Sequence, residues 1–460
     1  MKAMSLREIA DACSGHYYGE ESKLNIEVSG ISIDSRQIEE GFLFVPIKGT
    51  HVDGHAFIPQ VMEKGALCTL SEVVLENVSH PYILVGSSEQ ALRDLAEHYR
   101  NALDIKVVGI TGSVGKTSTK EMIASVLSQK YNVLKTEGNF NNEIGLPLTI
   151  FNIREEHEVA VLEMGISDFD EMHRLAKIAR PDICVITNIG PCHLESLIDR
   201  DGVLKAKTEM FDHISSNAKI ILNGDDDKLI TIKDWKKCSP IYFGTSKTCD
   251  VYVDEIKSHS LIETECTLHI GEESIQVKIP VPGYHMVYNS MAGALVGHEL
   301  CLTLEEIKDG IETLIPVSGR NNLIKTDLFT IIDDCYNANP MSMKASLDVL
   351  ATADTRKVAI LGDMFELGKN EKELHYDIGK YAVKKGIDLV ICVGKLSKET
   401  VKGAKDGNSA VIHFDTKQEF FEQLKELLQE GDTILIKASR GMHFEEIVEK
   451  IKIERKIKTC

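Results

Sequence analysis

Residues 107–122 read VVGITGSVGKTSTKEM: a β-branched run, a glycine-rich turn and then a helical pattern. This order predicts a strand, a phosphate-binding loop and a helix, whose backbone N–H groups can surround phosphate oxygens. The Gly-Lys-Thr end of the general nucleotide loop is present at 115–117, but Ile110 stands where its first glycine belongs, and the glycine comes at Gly112. The stretch therefore predicts a nucleotide site with a tighter loop. The alternative is a Gly-Ser turn before a helix that merely begins with Lys-Thr.

The loop and the strand-like runs after it supply candidate ligands. Lys116 is expected to reach the terminal phosphates, and the Thr117 hydroxyl to bind Mg²⁺. Glu163 lies at the end of VAVLEMG and His193 follows ICVITNIGPC, positions where an α/β sheet presents its ligands. Mg²⁺ prefers carboxylate oxygens, which favours Glu163, whereas a structural hydrogen bond is the alternative for His193. The loop residues predicted to bind ATP are Thr111, Gly112, Ser113, Val114, Gly115, Lys116, Thr117 and Ser118.

Strand-like runs alternate with helical patterns after this loop, which is typical of parallel sheets flanked by helices. VVGIT, VAVLEMG, ICVITNIG and AKIILNGD precede three runs that read as antiparallel strands, VYVDEIKSH, ECTLHIG and SIQVKIPVPG. A second alternation, KVAILGD, DLVICVG, AVIHFD and DTILIKAS, predicts another sheet. We therefore expect an α/β protein with a central P-loop parallel-sheet domain and a Rossmann-like C-terminal domain. The predicted domains are 1–102, 103–315 and 316–460.

The composition and charge of the chain limit its partners. Its 460 residues suffice for about three hydrophobic cores. A formal net charge of -19 without a Lys/Arg-rich run disfavours nucleic acid and anionic membranes. The 11 cysteines never form Cys-x-x-Cys, which disfavours a zinc site or a disulfide framework. No apolar run could span a bilayer and the first residues lack a signal-peptide core, so a cytoplasmic protein is expected.

The loop TGSVGKTS resembles the compact ATP loop of the Mur ligases and folylpolyglutamate synthetases. Further stretches are similar to the Mur ligase that joins D-alanyl-D-alanine to a UDP-N-acetylmuramoyl tripeptide. They are NFNNEIGLP at 139–147, LEMG at 162–165, TNIGPCHLE at 187–195, GYHMVYNSMAGA at 283–294, DDCYNANP at 333–340, LGDMFELG at 361–368 and KASRGM at 437–442.

This resemblance implies ATP-driven amide formation through an acyl phosphate, with ATP and two Mg²⁺ ions as cofactors and a monomeric enzyme. Neither L-lysine nor diaminopimelate is specified as the third residue of the peptide. The alternatives are the ligase that adds that third residue, whose Asp-Asn-Pro-Arg motif this chain lacks, and a folylpolyglutamate-synthetase-like ligase. A degenerate ATP-binding scaffold would require lost phosphate or metal residues, and none is lost.

The resemblance also implies roles for individual residues. Those expected at the UDP-substrate are Asp34, Ser35, Arg36, Lys48, Asp53, His55, Asn139, Asn141, Asn142 and Glu143. The alternatives are a metal site in HVDGH, disfavoured because Gly54 separates His51 from His55, and an Asn-rich turn in NFNNE. Those expected near ATP, besides the loop, are His285, Asn289, Arg320, Asp334, Tyr336 and Asn337. Those expected at the dipeptide are Lys437, Ser439 and Arg440.

Lys207, in GVLKAKTEMF, has two interpretations. A lysine in a helical segment is ordinarily a solvated surface charge. The segment, however, is similar to the one in which Mur ligases carry a carbamylated lysine, and a carbamate would offer two oxygens to a second Mg²⁺. The resemblance therefore implies catalytic or metal-binding roles for Lys116, Glu163, His193 and Lys207, the last as its carbamate. Neighbouring Lys205 is the natural control.

Overall fold

The computed structural model describes residues 1–50, 52–76, 78–235, 238–405, 407 and 409–453. His51, from the metal-site interpretation of HVDGH, lies outside these residues. Three large sheets follow one another along the chain, each with its own helices. We call them the first unit (Met4–Asn101), the central unit (Lys106–Glu312) and the last unit (Asn322–Lys452).

The first unit contains a five-stranded mixed sheet in the order β2-β7-β6-β5-β4, and a small β1-β3 pair. Its strands are β1 Met4–Ser5, β2 His16–Tyr18, β3 Glu27–Val28, β4 Gly30–Ser32, β5 Phe42–Phe44, β6 Cys68–Ser71 and β7 Tyr82–Leu84. Its helices are α1 Leu6–Ala12, α2 Ile58–Glu63 and α3 Ser88–Asn101. The amphipathic helix α3 packs against the central unit, where Tyr99 is fully buried and donates a 2.7 Å hydrogen bond to the Ile153 carbonyl.

The central unit contains a nine-stranded sheet in the order β16-β15-β14-β13-β12-β11-β8-β10-β9. Its strands are β8 Lys106–Thr111, β9 Val133–Lys135, β10 Val159–Glu163, β11 Ile183–Ile186, β12 Lys219–Asn223, β13 Pro240–Gly244, β14 Val251–His259, β15 Glu263–Ile270 and β16 Glu273–Ile279. Its helices are α4 Lys116–Leu127, α5 Gly145–Phe151, α6 Glu171–Ala179, α7 Leu194–Leu197, α8 Arg200–Thr208, α9 Tyr284–Glu299 and α10 Leu304–Glu312.

Strand β8 lies between β10 and β11, and both pairings are parallel. Its residues after Lys106 are buried, as expected for a parallel strand covered on both faces. Strands on either side of β8 come later in the chain, so the crevice at its carboxyl end is a topological switch point, where open α/β sheets bind ligands. The predicted phosphate loop begins at this edge.

The last unit contains a six-stranded sheet in the order β17-β18-β22-β19-β20-β21, parallel except for β17. Its strands are β17 Asn322–Lys325, β18 Thr330–Asp333, β19 Lys357–Gly362, β20 Leu389–Val393, β21 Ala410–Phe414 and β22 Thr433–Lys437. Its helices are α11 Pro340–Ala351, α12 Glu371–Lys384, α13 Ser397–Ala404, α14 Lys417–Leu427 and α15 Glu445–Lys452. All four runs of the second predicted alternation are strands here, each followed by a helix.

The central unit contacts its two neighbours differently. One hydrophobic core is continuous through the first unit and one face of the central sheet, including Leu92, Leu95 and Tyr99 of α3 and Ile150 and Phe151 of α5. The last unit instead has its own two cores, one on each face of its sheet.

The tip of the β14–β15 hairpin forms one contact with the last unit. Ser260 Oγ donates a 3.0 Å hydrogen bond to the carbonyl of Thr352, the C-cap residue that follows α11, and Leu261 packs on the core there. Among the described helices, none combines the length and the apolar character needed to cross a membrane.

Candidate active site

The phosphate loop is held by the segment that follows β11. A Cβ added at Gly112 would lie 1.9 Å from Thr187 Oγ1, so only glycine allows this close approach. The Thr187 hydroxyl donates to the Val114 carbonyl at 2.7 Å, and Asn188 Oδ1 accepts from the Val114 N–H at 3.0 Å. The displaced glycine of the sequence therefore serves the contact between the loop and β11. Sequence reasoning missed Thr187 and Asn188 as supports, although both stand in the quoted TNIGPCHLE.

Lys116 and Thr117 begin α4 directly after the loop, where Gly115 has a left-handed φ of 81°. Lys116 Nζ donates to the Gly112 carbonyl at 2.9 Å. The Thr117 hydroxyl accepts a 3.2 Å hydrogen bond from the guanidinium of Arg320, which lies in the segment between α10 and β17. A cation from the junction with the last unit therefore reaches the first turn of the phosphate-binding helix.

Glu163 ends β10 and is buried beside the loop. Its Oε1 accepts a 2.8 Å hydrogen bond from Asn141 Nδ2, which belongs to the NFNNEIGLP stretch. Its Oε2 is buried and has no hydrogen-bond partner among the described residues. A buried carboxylate oxygen without a partner costs free energy unless a donor or a cation reaches it, so this atom fits a divalent ion.

Lys207 is not a surface lysine. It lies on α8 with 1% of its surface exposed, whereas Lys205 on the same helix is exposed and lies 5.5 Å from the Phe169 ring centre. Burial lowers the pKa of Lys207 to about 8; the nearby Cys192 opposes this shift and Lys116 adds to it. The neutral amine of this side chain is therefore more accessible near neutral pH than that of an exposed lysine.

His193 follows β11 and faces the last unit. Its Nδ1 lies 2.8 Å from an oxygen of Glu366, in the LGDMFELG stretch. His193 and Glu163 line the same cavity, but the described residues include no group of three His, Cys, Asp or Glu side chains arranged to hold a metal. A metal site here would need oxygens from other groups, such as Thr117 or a carbamate. Glu366 was quoted in the sequence without a role.

His285 and Asn289, both expected near ATP, lie where α9 faces the last unit. His285 and Asn289 lie one turn apart on α9; Asn289 Oδ1 accepts from the Thr119 hydroxyl of α4 at 2.8 Å. Nε2 of His285 lies 3.0 Å from Asn321 Nδ2. Sequence reasoning missed Asn321, because its partner is distant in the chain.

Asp334 follows β18 and is bonded to side chains of its own unit. Its Oδ2 lies 2.5 Å both from Lys437 Nζ and from the Ser346 hydroxyl. Its Oδ1 accepts from the Asn321 N–H at 3.2 Å. Lys437 is 2% exposed, and burial lowers its pKa while the Asp334 carboxylate opposes that shift. Asp334, expected near ATP, and Lys437, expected at the dipeptide, are thus joined in one buried ion pair.

Tyr336 and the loop residues around it form further contacts on the side of the site that faces the last unit. The Arg320 guanidinium lies over the Tyr336 ring, 3.9 Å from its centre, and the Arg440 guanidinium lies 5.4 Å from the same centre. Asn337 Oδ1 accepts from the Arg440 N–H at 3.3 Å. Ser439 Oγ accepts from the Phe365 N–H at 2.9 Å.

A cavity of about 680 Å³ joins the central and last units. The predicted residues that line it are Ser113, Val114, Gly115, Lys116, Thr117, Ser118, Asn141, Asn142, Glu163, His193, His285, Asn289, Arg320, Asp334, Tyr336, Asn337 and Lys437. The predicted residues outside its lining are Thr111, Gly112, Lys207, Asn139, Glu143, Ser439, Arg440 and the six of the first unit. The structure therefore brings most of the ATP candidates together.

The first-unit candidates form local pairs. Arg36 and Asp34 form a 2.7 Å ion pair, and the hydrogen bonds from Arg36 lower the pKa of Asp34 to about 2. The His55 ring lies 2.7 Å from the Asp53 carboxylate, and the Ser35 carbonyl accepts a hydrogen bond from Lys64 Nζ. The backbones of Lys48 and Asp53 pair as an isolated antiparallel β-bridge.

Glu143, a further UDP-substrate candidate, is bound by arginines. Both of its carboxylate oxygens accept from Arg174 of α6, and Arg93 of α3 lies 3.6 Å away. Its carboxylate therefore links helices of the first and central units. Asn139 contributes its carbonyl to the turn, accepting from the Asn141 N–H at 2.7 Å.

Comparison with known proteins gives consistent matches along the whole chain. The Mur ligase middle domain matches residues 110–297, the "Mur ligase, glutamate ligase domain" 319–440, and the "Mur ligase family, catalytic domain" 27–100. The UDP-N-acetylmuramoyl-tripeptide–D-alanyl-D-alanine ligase of Bacillus subtilis (strain 168) is 38% identical over 428 residues, 92% of each chain.

Two solved structures are similar over most of the fold. MurF from Acinetobacter baumannii is 30% identical with a TM-score of 0.92, covering 99% of this chain and 100% of that one. MurF from Thermotoga maritima, in complex with ADP, is 30% identical with a TM-score of 0.83, covering 92% of this chain and 97% of that one. The three-domain α/β architecture expected from the sequence is confirmed by these matches.

Proposed function

The chain belongs to the Mur ligase family, and on that premise we propose that it joins D-alanyl-D-alanine to a UDP-N-acetylmuramoyl tripeptide, with ATP as the energy source. The product is the UDP-N-acetylmuramoyl pentapeptide used in peptidoglycan synthesis. The observation that carries this proposal is the similarity, over nearly the full length, to ligases that bear this name. The cavity between the phosphate loop and the last unit supports it, because ligation must bring ATP and two further substrates together.

We divide the substrates among three domains, 1–102 for the UDP moiety, 103–315 for ATP and 316–460 for the dipeptide. Arg36 suits a diphosphate because its guanidinium is a planar fork of donors. We further propose that the enzyme is a monomer and that it acts in the cytoplasm.

The reaction has two steps. A carboxylate oxygen of the tripeptide attacks the γ-phosphorus of ATP, and the bond from that phosphorus to the β–γ bridging oxygen breaks. ADP departs, and the tripeptide now carries an acyl phosphate. The neutral amine of D-alanyl-D-alanine then attacks the acyl carbon, loses a proton, and inorganic phosphate departs as the amide forms. In the first step an anion approaches an anion, so Lys116 and Arg320 must neutralise the phosphate oxygens and hold them in line.

We propose that residues around the loop hold two Mg²⁺ ions. We assign Thr117, Glu163, His193 and Lys207 as the groups that would hold them. The unpartnered Oε2 of Glu163 supports this assignment, since a cation would satisfy it. When bound, the ions would supply positive charge next to the phosphates and the developing acyl phosphate.

We assign Lys207 as a carbamate. Carbon dioxide adds to a neutral amine: the nitrogen–carbon bond forms and a proton passes to solvent. The pKa of about 8 makes the neutral amine available near neutral pH, which an exposed lysine would not allow. The modification also replaces a cation close to Lys116 with an anion that can bind a metal ion.

Phosphate release from ATP tests the proposed function. UDP-N-acetylmuramoyl tripeptides ending in L-lysine and in diaminopimelate are each assayed with and without D-alanyl-D-alanine. Rapid release should require one tripeptide together with the dipeptide, and mass spectrometry should show the pentapeptide. Release that depends on a UDP-dipeptide plus a single basic or dicarboxylic amino acid, with none for D-alanyl-D-alanine, would identify the ligase that adds the third residue.

A further inference from the structure

The Glu366 carboxylate and the His193 ring are paired across the junction of the central and last units. Glu366 lies in the loop between β19 and the short 3-10 helix Gly368–Asn370, and His193 immediately precedes α7. The distance from His193 Nδ1 to the carboxylate oxygen is 2.8 Å. The imidazole, which lines the cavity, is 27% exposed, and the glutamate side chain, which lies outside that lining, is 63% exposed.

Both residues are held in backbone conformations that non-glycine residues seldom adopt. His193 has a φ of 51° and Glu366 a φ of 63°. Such conformations persist only where surrounding contacts impose them, and they are frequent at ligand clamps and switches. Here α7 packs on the Gly368–Asn370 helix, so the same two segments hold the backbones and align the side chains.

A second contact joins the same central-unit loop to the last unit. A Cβ added at Gly190 would lie 2.0 Å from Met341 Sδ, at the start of α11. The loop that carries His193 therefore touches the last unit at Met341 as well as at Glu366. Its arrangement depends on where the last unit lies.

The Glu366 carboxylate has a chemical consequence for the neutral imidazole ring of His193. A carboxylate at Nδ1 favours the tautomer with the proton on Nδ1, which leaves the Nε2 lone pair available to a metal ion. Carboxylate partners of this kind fix the ring orientation of metal-binding histidines and typically change metal affinity by about 10–100-fold.

We propose that Glu366 is a positioning residue: its carboxylate, carried by the last unit, orients His193 of the central unit, so that docking of the last unit completes the metal site. The metal-binding role of His193 rests on the proposed function. The carboxylate itself touches no substrate. Its effect is to make metal binding in one unit depend on the position of another.

The test compares Glu366→Gln with Glu373→Gln. Both remove one negative charge from the last unit, but Glu373 lies exposed in the first turn of α12. Binding of Mn²⁺, as a probe for Mg²⁺, is titrated by electron paramagnetic resonance with a non-hydrolysable ATP analogue present. We expect E366Q to bind at least one Mn²⁺ about 10-fold more weakly or worse, and E373Q to match the unmodified protein.

Two further measurements separate positioning from a merely structural role. In a His193→Asn background, E366Q should add no further loss of Mn²⁺ affinity, because the residue acts through the imidazole. In turnover assays, E366Q should lower kcat and raise the Mg²⁺ concentration for half-maximal rate, with the Kd for the UDP-tripeptide unchanged.

Unchanged Mn²⁺ affinity in E366Q would overturn the proposal. So would equal losses of Mn²⁺, ATP and UDP-tripeptide binding together with a lower Tm, since that pattern describes general damage. The Mn²⁺ titration needs no peptide substrate. The comparison of Mn²⁺ binding by E366Q and E373Q can therefore be made even if the proposed ligase reaction fails. Failure of the positioning role and failure of the proposed function can thus be distinguished.

Discussion

The central unit is joined to its two neighbours by opposite kinds of junction. Towards the first unit, a continuous apolar core runs through α3 and α5, with Tyr99 fully buried in it. Towards the last unit, two of the contacts are polar: Arg320, just before that unit, binds Thr117, and Glu366 is paired with His193. Separating an apolar core exposes surface to water, whereas separated polar groups regain hydrogen bonds to water. The first and central units should therefore move as one body, and the last unit should move against them.

The largest expected effect is on phosphate transfer at the loop of the central unit, which moves together with the first unit. Lys116→Ala should lower turnover by about 10³-fold or more, because the charge that offsets phosphate repulsion is removed. Calorimetry should show an unchanged Kd for the UDP-tripeptide, since that site is assigned to the first unit. Loss of UDP-tripeptide binding in a folded variant would show that the division of substrates is wrong.

The apolar junction is tested through Tyr99. Tyr99→Ala should lower the free energy of unfolding by about 3–5 kcal/mol, the usual cost of truncating a buried aromatic side chain. Denaturant unfolding should show the first and central units losing stability together. Tyr99→Phe is the control: it keeps the ring and loses only the hydroxyl's hydrogen bonds to Lys2 and Ile153, worth about 1 kcal/mol. An effect limited to the first unit would contradict the shared core.

Lys207→Ala should lower turnover by about 10²-fold, the effect expected for a group that supports a metal site. Small carboxylic acids such as formate should restore part of the rate by occupying the place of the carbamate. Lys205→Ala should behave as the unmodified enzyme, because that side chain is exposed. Normal turnover in Lys207→Ala, or failure of Lys205→Ala instead, would rule out the carbamate assignment.

The smallest expected effect is at the polar junction. Tyr336→Leu removes the ring under the Arg320 guanidinium, and cation–π contacts of this kind contribute about 0.5–1 kcal/mol. The KM for ATP should rise by roughly 2- to 5-fold with little change in kcat. Tyr336→Phe keeps the ring and should match the unmodified enzyme. An equal KM increase in both variants would assign the effect to the hydroxyl instead of the ring.

The sequence predicted the parts that are local in the chain. The phosphate loop was recognisable because the glycines that shape its backbone and the lysine that binds phosphate all lie within eight residues, 111–118. The strand alternation likewise predicted the central and last sheets, because parallel strands covered on both faces are apolar throughout. The three-domain expectation also needed the resemblance, since the short strands of the first unit carry no such pattern.

The rest depends on partners that are distant in the chain. Glu366 was visible in LGDMFELG, but its partner His193 stands in another unit, and no local pattern joins the two. The Asp334–Lys437 pair is hidden for the same reason. Lys207 shows most clearly what the sequence leaves undetermined. Lys205 and Lys207 lie on the same helix, and only the packing of α8 decides that Lys207 is buried and Lys205 exposed.

The hairpin tip of the central unit restricts how the last unit can turn. Helix α11 touches the central unit at both ends, through Met341 against Gly190 and Thr352 against Ser260. A rigid helix that is held at two points can still rotate in one way, about its long axis. While both contacts hold, the last unit can rotate only about the long axis of α11. Residues near this helix would then move little, and residues on the distant strands would move farthest. Glu366 and His193 belong to neither of these two contacts, so rotation of the last unit about α11 would change the distance between them.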